Sequence, residues 1–345
     1  MAKKPTIKDV ARKAGLSLST VSLVINNKDN VSKATREKVH KIISELNYHP
    51  QQSGRSLASK RSGNIGFILT EDHFSKSEPF YTRIFLGTEF EARKCNYYVL
   101  MTTVGFTVKD TKEVPRFLLE SNVDGVIVAG KIGSSWIDYI RERNLPLVLI
   151  DYERKTKGVS TVLIDNFGGA ELATNHLISG GHTRIGFVGG DLEHPSIQAR
   201  YNGFRATVKK KNLPVNDAWM SITEPDTLVV SGYRATKKIF SSKSPLPTAL
   251  FVANDAMAVG CIRYLKEQGK RIPDDVAIVG FDNVEIGFLS EPRLTSINVH
   301  REEIGSIAVK RIVEMIKQKS ELQTKTITNV ELVVRESCGI KNNQP

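Results

Sequence analysis

From residue 64 onward, short apolar runs recur along the chain: IGFIL, YVLMT, GVIVAG, PLVLID, RIGFVGG, ALFVAND and VAIVGFDN. Runs this short and this continuous predict strands buried on both faces. Between them, segments such as 81–94, 167–179, 198–211 and 255–268 mix polar and apolar positions at helical spacing. Strand and helix therefore alternate, which predicts parallel sheets covered by helices. The strands fall into two sets, before and after about residue 162. The body is thus expected to be α/β, made of two doubly wound parallel-sheet subdomains.

The first 50 residues follow another pattern. Ile7, Val10, Ala11 and Ala14 lie at i, i+3, i+4 and i+7, one apolar helix face. Thr6 with Asp9 resembles a capping box, and Gly15 is a natural stop. Ser17 can cap a second helix that turns Val21, Val24 and Ile25 inward and leaves Leu18, Ser19, Ser22 and Leu23 outward; Asn26 and Asn27 end it. Ser32 can cap a third helix with Val39, Ile42, Ile43 and Leu46 at helical spacing. Two short helices joined by a tight Gly-containing turn and braced by a third form the helix-turn-helix plan. In that plan the start of the second helix enters the major groove. Leu18, Ser19 and Leu23 are the expected base-facing positions, since hydroxyls can meet base edges and apolar groups a thymine methyl.

Charge sharpens this reading. The chain of 345 residues carries a net +12. Residues 1–61 hold 13 Lys/Arg and 4 Asp/Glu, or 13 − 4 = +9; the rest supply +3. A small folded basic module on a nearly neutral body points to a polyanion partner, most often nucleic acid. The three cysteines, Cys95, Cys261 and Cys338, are odd in number and widely spaced, which argues against a disulfide framework or a zinc site. No apolar leader opens the chain and no apolar run approaches membrane-spanning length. A soluble cytoplasmic protein with no membrane partner is expected.

No GxxxxGK[ST], GxSxG or HExxH occurs, and GFVGGD at 186–191 does not match GxGxxG. His176, His182 and His194 have no metal spacing and are expected at the surface or at caps. No enzyme activity, cofactor or metal is expected. Asp151, Asn254, Asp255 and Asp282 each follow an apolar run, and Arg200 lies early in a helix after GGDLEHPS. Ligands of α/β sheets bind beyond the carboxyl ends of strands. Carboxylate, amide and guanidinium groups there suit a hydroxyl-rich ligand, because each buried hydroxyl needs a donor and an acceptor.

The segments TIKDVARKAGLSLSTVSLVIN, VSKATREKVHKIISELNYHP and GRSLASKRSGNIGFI, with LVVRESC at 332–338, resemble the lac-repressor family of bacterial transcription regulators. The resemblance runs through the whole chain. It implies an operator-binding head, a hinge helix and a sensor body of the periplasmic-binding-protein type. Thr6, Ser17, Leu18, Ser19, Thr20, Ser22, Leu23, Asn26 and Tyr48 are then the candidate DNA-contacting residues of the head. In the hinge, the resemblance makes Leu57 a wedge between base pairs, supported by Arg55. In the body it assigns Ser196, Arg200, Asn254 and Asp282 to the effector, with Phe80 and Tyr81 as an aromatic pair at the cleft entrance; Asp151 completes the candidate effector set. Leu23 departs from the family, which often has an Arg there that reads a guanine. Gly54 stands where Ala is common, and Thr227 falls near where sugar-binding relatives carry an aromatic.

The expected organisation is a helix-turn-helix domain over 1–50, a hinge over 51–62 and an effector and dimerisation domain over 63–345. Its first subdomain is expected at about 63–162 plus 293–322, its second at about 163–292 plus 323–340. The expected function is a homodimeric transcription repressor bound to double-stranded operator DNA and controlled by a small metabolite, a sugar before other classes. The alternatives are control by a partner protein such as a phosphocarrier, or by a nucleobase corepressor.

Overall fold

The computed structural model describes all residues except 1–4, 26–27, 29, 49–60, 72–79, 109, 155, 243–244, 319–321 and 341–345. Asn26, Gly54, Arg55 and Leu57 lie outside the described residues. The chain divides into two compact units, Met1–Gly63 and Asn64–Pro345.

In the first unit, α1 (Ile7–Ala14), α2 (Leu18–Ile25) and α3 (Lys33–Glu45) surround a small core of Val10, Ala11, Ala14, Val21, Val24, Val39 and Ile42. The boundaries follow local chemistry. Asp9 accepts hydrogen bonds from the backbone N–H and hydroxyl of Thr6 at 2.9 and 2.7 Å, which starts α1. Gly15 ends it at φ 64°, where a side chain would be strained. Ser17 and Ser32 accept from the backbone N–H groups of Thr20 and Thr35 at 3.1 and 3.2 Å. Both are N-cap bonds that satisfy orphan donors.

The second unit begins with β1 (Asn64–Thr70), α4 (Phe80–Lys94), β2 (Tyr98–Val104), α5 (Arg116–Leu119), β3 (Gly125–Ala129), α6 (Ser134–Glu142), β4 (Leu147–Ile150) and β5 (Val159–Ile164). It continues with α7 (Asn166–Ser179), β6 (Ile185–Gly190), α8 (Pro195–Lys210), β7 (Met220–Glu224), α9 (Val229–Phe240), β8 (Ala249–Val252), α10 (Asp255–Glu267) and β9 (Ala277–Asp282). The last elements are α11 (Glu285–Phe288), β10 (Thr295–Val299), α12 (Arg301–Gln318), β11 (Lys325–Thr328) and β12 (Val330–Val333).

Among the described residues two six-stranded sheets result, in the orders β11-β5-β4-β3-β1-β2 and β12-β10-β9-β8-β6-β7. Every pairing is parallel except β10 with β12, which is antiparallel. Strands β1, β3, β4, β6, β8 and β9 are buried along their whole length, as continuous apolar runs require. The chain passes between the sheets three times: after β5, after β10 and after β11.

These crossings differ from the expected boundaries. β10 stays with the second sheet, beyond residue 292, and β11 pairs with β5 of the first sheet although it lies beyond 322. The short strands TSINV, KTIT and VELV mix polar and apolar positions. They carry no long apolar run to mark the sheet they join.

Glycines let two helix pairs cross at backbone contact. A Cβ on Gly87 of α4 would meet the carbonyl of Glu302 at the start of α12, and one on Gly305 would meet that of Ile84. Gly260 of α10 faces the carbonyl of Val229 of α9 in the same way, and Gly232 faces that of Met257. Here the neighbour is backbone and cannot rotate aside. Gly260→Ala is expected to destabilise the body by about 1–3 kcal/mol, the usual cost of overpacking. An unchanged midpoint in denaturant unfolding would show that the helices separate freely.

Candidate functional site

Two separate surfaces carry the candidate chemistry. On the head, α2 turns Val21 and Val24 fully inward and presents Leu18 and Leu23 at 45% and 37% exposure. Ser19 is exposed beside them, and Thr20 and Ser22 are half-buried. The hydroxyl of Ser17 lies 2.7 Å from that of Ser19 and 2.8 Å from that of Thr20, so the start of α2 carries a cluster of three hydroxyls. Each can reorient to donate or accept. Thr6 is engaged in capping α1, as described. Tyr48, expected among the DNA-contacting residues, is buried in the core of the head, so packing is the role its position gives it. The sequence could not separate these roles, because an aromatic after the third helix serves a core and a phosphate contact equally well.

In the body, the carboxyl ends of the two sheets enclose a cleft of about 370 Å³, within the range of small-molecule sites. All seven candidate effector residues line it: Phe80, Tyr81, Asp151, Ser196, Arg200, Asn254 and Asp282. Asp151 follows β4 at φ 55°, and Asp282 ends β9 at φ 98° with Asn283 next at φ 52°. Left-handed backbone at non-glycine residues concentrates at functional sites. Here it turns each chain sharply beyond its strand end.

Asp151 bridges the two subdomains. One oxygen accepts from the Tyr81 hydroxyl of the first at 3.1 Å, and the other from the Ser196 hydroxyl of the second at 2.8 Å. Burial, and then the Asp151 carboxylate, push the Tyr81 phenol well above its ordinary pKa and keep it a neutral donor. A second bridge lies outside the cleft, where Arg83 of α4 donates to Glu285 of α11 at 2.9 Å and to Glu302 of α12 at 3.1 Å.

Arg200 is the anchor of the far wall. It is 4% exposed. It donates to Asn166 at 2.7 Å, to the Ala253 carbonyl at 2.5 Å and to Asp282 at 3.1 Å, and it stacks 3.7 Å from the Phe281 ring. Burial pushes the Asp282 carboxyl up, and Arg200 opposes that shift. Asn254 lines the cleft but also caps α10: its amide oxygen accepts from the Met257 N–H at 2.9 Å and its amide nitrogen donates to the Thr227 carbonyl at 3.0 Å.

Asp255, which also follows an apolar run, does not face the cleft. It is fully buried behind it, accepting from the Val284 N–H at 2.7 Å and the Ser296 hydroxyl at 2.6 Å. Burial, with Asp282 nearby, pushes its pKa up from 3.8 to about 8. An unfolded chain releases this proton near pH 3.8, while the folded chain holds it until about pH 8. Folded protein binds the extra proton between those values, so its contribution to stability is complete below pH 3.8 and falls as pH rises to about 8. One proton limits the slope to about 1.4 kcal/mol per pH unit. Asp255→Asn should flatten a plot of unfolding free energy against pH from 5 to 8; identical slopes in both proteins would refute the assignment.

Several cleft residues escaped the sequence reading. Lys131, Asp191, Phe106 and Asp226 line the cleft, beside Thr227, which the resemblance had already placed near the effector. Lys131 and Asp191 follow GVIVAG and GFVGG directly, so the strand-end rule that found Asp151 would have found them. His194 was expected at the surface or at a cap. It is the N-cap residue of α8, in line with that expectation though its side chain makes no capping bond, and it also lines the cleft, where burial, then Arg200 and Lys131, push its pKa down to about 4. His176 and His182 are half-buried, 3.2 Å from the Cys338 sulfur and 3.1 Å from the Thr248 hydroxyl. Among the described residues, no helix is long and apolar enough to cross a membrane, and no group of three or more His, Cys, Asp or Glu is placed to hold a metal ion.

The comparisons with known proteins agree with this geometry. Residues 6–51 match the family of bacterial regulatory proteins of the lacI type, and residues 174–338 match a periplasmic binding protein-like domain. The HTH-type transcriptional repressor PurR of Pasteurella multocida (strain Pm70) is 34% identical over 336 residues, covering 96% of this chain and 98% of the relative. The chain belongs to the lacI family. PurR of Vibrio vulnificus (strain CMCP6) is likewise 34% identical over 339 residues. Among solved lacI-type structures, the lac repressor dimer bound to operator and the anti-inducer ONPF is 27% identical with a TM-score of 0.80, over 97% of this chain and 99% of that one. The complex of the regulator CelR with cellobiose is 29% identical with a TM-score of 0.72, over 96% of this chain and 99% of that one. As a member of this family, the chain is a DNA-binding transcriptional repressor, with a helix-turn-helix head and a body of two parallel-sheet α/β subdomains.

Proposed function

We propose that this repressor is controlled by a small hydroxyl-rich carbohydrate that binds in the cleft between the sheets and shifts operator affinity. The observation that carries the reading is the pairing of Asp151 with Tyr81 and Ser196, opposite Arg200 with Asp282. These groups offer donors and acceptors at facing strand ends, and the Asp151 bonds join the two subdomains directly. A ligand hydroxyl that replaces or extends those bonds acts on the relative position of the subdomains. It can shift the repressor only as far as its affinity differs between the two states. The CelR–cellobiose complex supports this ligand class by resemblance.

On this reading Leu18, Ser19 and Leu23 face base edges in a homodimer on a pseudo-palindromic operator. Arg55 and Leu57 act in a hinge over 51–62, and the protein works in the bacterial cytoplasm. The polar, partly buried lining of the cleft favours a metabolite over a partner protein as the controlling signal. Phe80, Tyr81 and Phe106 offer aromatic faces that suit a sugar or a base alike, and Thr227 beside Asn254 adds none, so the carbohydrate reading rests on the hydrogen-bonding groups.

The test is thermal unfolding of the intact chain against a panel of mono- and disaccharides. A midpoint that rises with the concentration of one of them is expected. Stabilisation by nucleobases alone would reject the carbohydrate.

A further inference from the structure

We infer that the effector of this cleft is electrically neutral, a polyhydroxyl compound carrying neither phosphate nor carboxylate. The inference rests on the carbohydrate reading and adds the charge of the ligand. Among the described residues, four carboxyl groups line the cleft, Asp151, Asp191, Asp226 and Asp282, against two permanent cations, Lys131 and Arg200. With all four ionised the balance is −4 + 2 = −2. Burial pushes Asp282 toward its protonated form; with that proton in place the balance is −1 and still not positive. His194, with its pKa pushed down to about 4, adds no positive charge near neutral pH.

Both cations also have partners on the protein. The guanidinium of Arg200 spends its three nitrogens on Asn166, the Ala253 carbonyl and Asp282, with its face on the Phe281 ring. Lys131 donates to the Glu193 carbonyl at 3.1 Å, and the Glu193 carboxylate lies 4.0 Å away.

Helix starts at the cleft also attract anions, those of α4, α9 and α10 and, beside Asp151, that of α8, whose backbone N–H groups carry a partial positive charge. That end is already faced by an anion, because Ser196 in its first turn donates to the Asp151 carboxylate at 2.8 Å. Asp226 is held in the same lining by the Leu228 N–H at 3.0 Å and the Ser231 hydroxyl at 2.6 Å. A phosphate monoester brings about −1.5 to −2 charge and three acceptor oxygens. Here it would lose water and meet carboxylates, whose interaction with it is repulsive and strengthened by burial. A hydroxyl donates to the same carboxylates and needs no counter-charge.

The experiment measures thermal unfolding of the intact chain at fixed ionic strength. Neutral sugars, cellobiose among them, are compared with their 6-phosphates and uronates, with inorganic phosphate and with hypoxanthine. The expected result is stabilisation by a neutral sugar, with its phosphorylated and uronate counterparts at least tenfold weaker. Asp191→Asn should narrow that gap several-fold. A phosphorylated or uronate sugar that stabilises at lower concentration than its neutral parent would overturn the inference and leave the carbohydrate reading standing. Stabilisation by hypoxanthine alone would uphold neutrality and sink the carbohydrate.

Discussion

Arg200→Met is expected to lower ligand affinity by at least 100-fold, about 2.7 kcal/mol, while the protein still binds its operator. Methionine fills much of the same space but supplies none of the three donors that reach Asn166, Ala253 and Asp282. The loss has two parts. The ligand loses a wall held in register by a rigid fork, and the Asp282 carboxyl is left buried without its partner. Removing one member of a buried ion pair costs about 3–5 kcal/mol of stability, so the body should unfold at lower temperature as well. The head is a compact unit of its own, Met1–Gly63, and its fold does not depend on Arg200. A repressor that stays on DNA and ignores the ligand is therefore the predicted phenotype. Arg200→Lys separates charge from geometry: an ammonium keeps the positive charge but cannot reproduce the fork, and it should restore stability more than affinity. Titration calorimetry with the stabilising sugar, beside operator binding by fluorescence anisotropy, reads both. Undiminished sugar affinity in Arg200→Met would remove Arg200 from the site.

Leu23→Arg should change which operator is read. Leu23 stands outward on α2 at 37% exposure, on the same outer side as exposed Ser19, and the core residues Val21 and Val24 are untouched by a change there. An arginine at a base-facing position can donate two hydrogen bonds to a guanine, worth about 1–3 kcal/mol of discrimination, or roughly 5- to 150-fold. The variant should select a guanine at one position of each half-site where the parent tolerates other bases. Its head should melt at the parent's temperature, since an exposed substitution alters stability by about 0.5 kcal/mol or less. Identical motifs selected by both proteins would show that residue 23 does not meet base edges.

Legibility in the sequence followed the strength of the local physical signal. The three head helices were readable because caps, stops and apolar spacing agree: Thr6 with Asp9, Gly15, Ser17 and Ser32 all sit where the structure uses them. The central strands were readable because burial on both faces demands an unbroken apolar run. Strands β10, β11 and β12 were not, since TSINV, KTIT and VELV mix polar and apolar positions and their sheet is decided by tertiary pairing. In the cleft, polar residues at strand ends pointed to Asp151, Asn254 and Asp282, but the same rule also picked Asp255, which packs behind the site. One residue along a helix start decides which of two neighbours faces the ligand, and spacing alone does not resolve it. His194 sits at the N-cap of α8, one of the places expected for it, but nothing in its spacing shows that the loop opening α8 also brings it to the cleft.

The most direct test of the account is selection of binding sites from a random DNA pool by the intact chain. It is run at two salt concentrations, with and without the sugar that raises thermal stability. The account predicts a pseudo-palindromic motif with a flexible central step, affinity that falls steeply with salt as phosphate contacts release counterions, and enrichment that changes when the sugar is present. No enriched motif under any condition, with all sequences retained equally at low salt, would contradict it, because the basic head would then bind phosphates without reading bases.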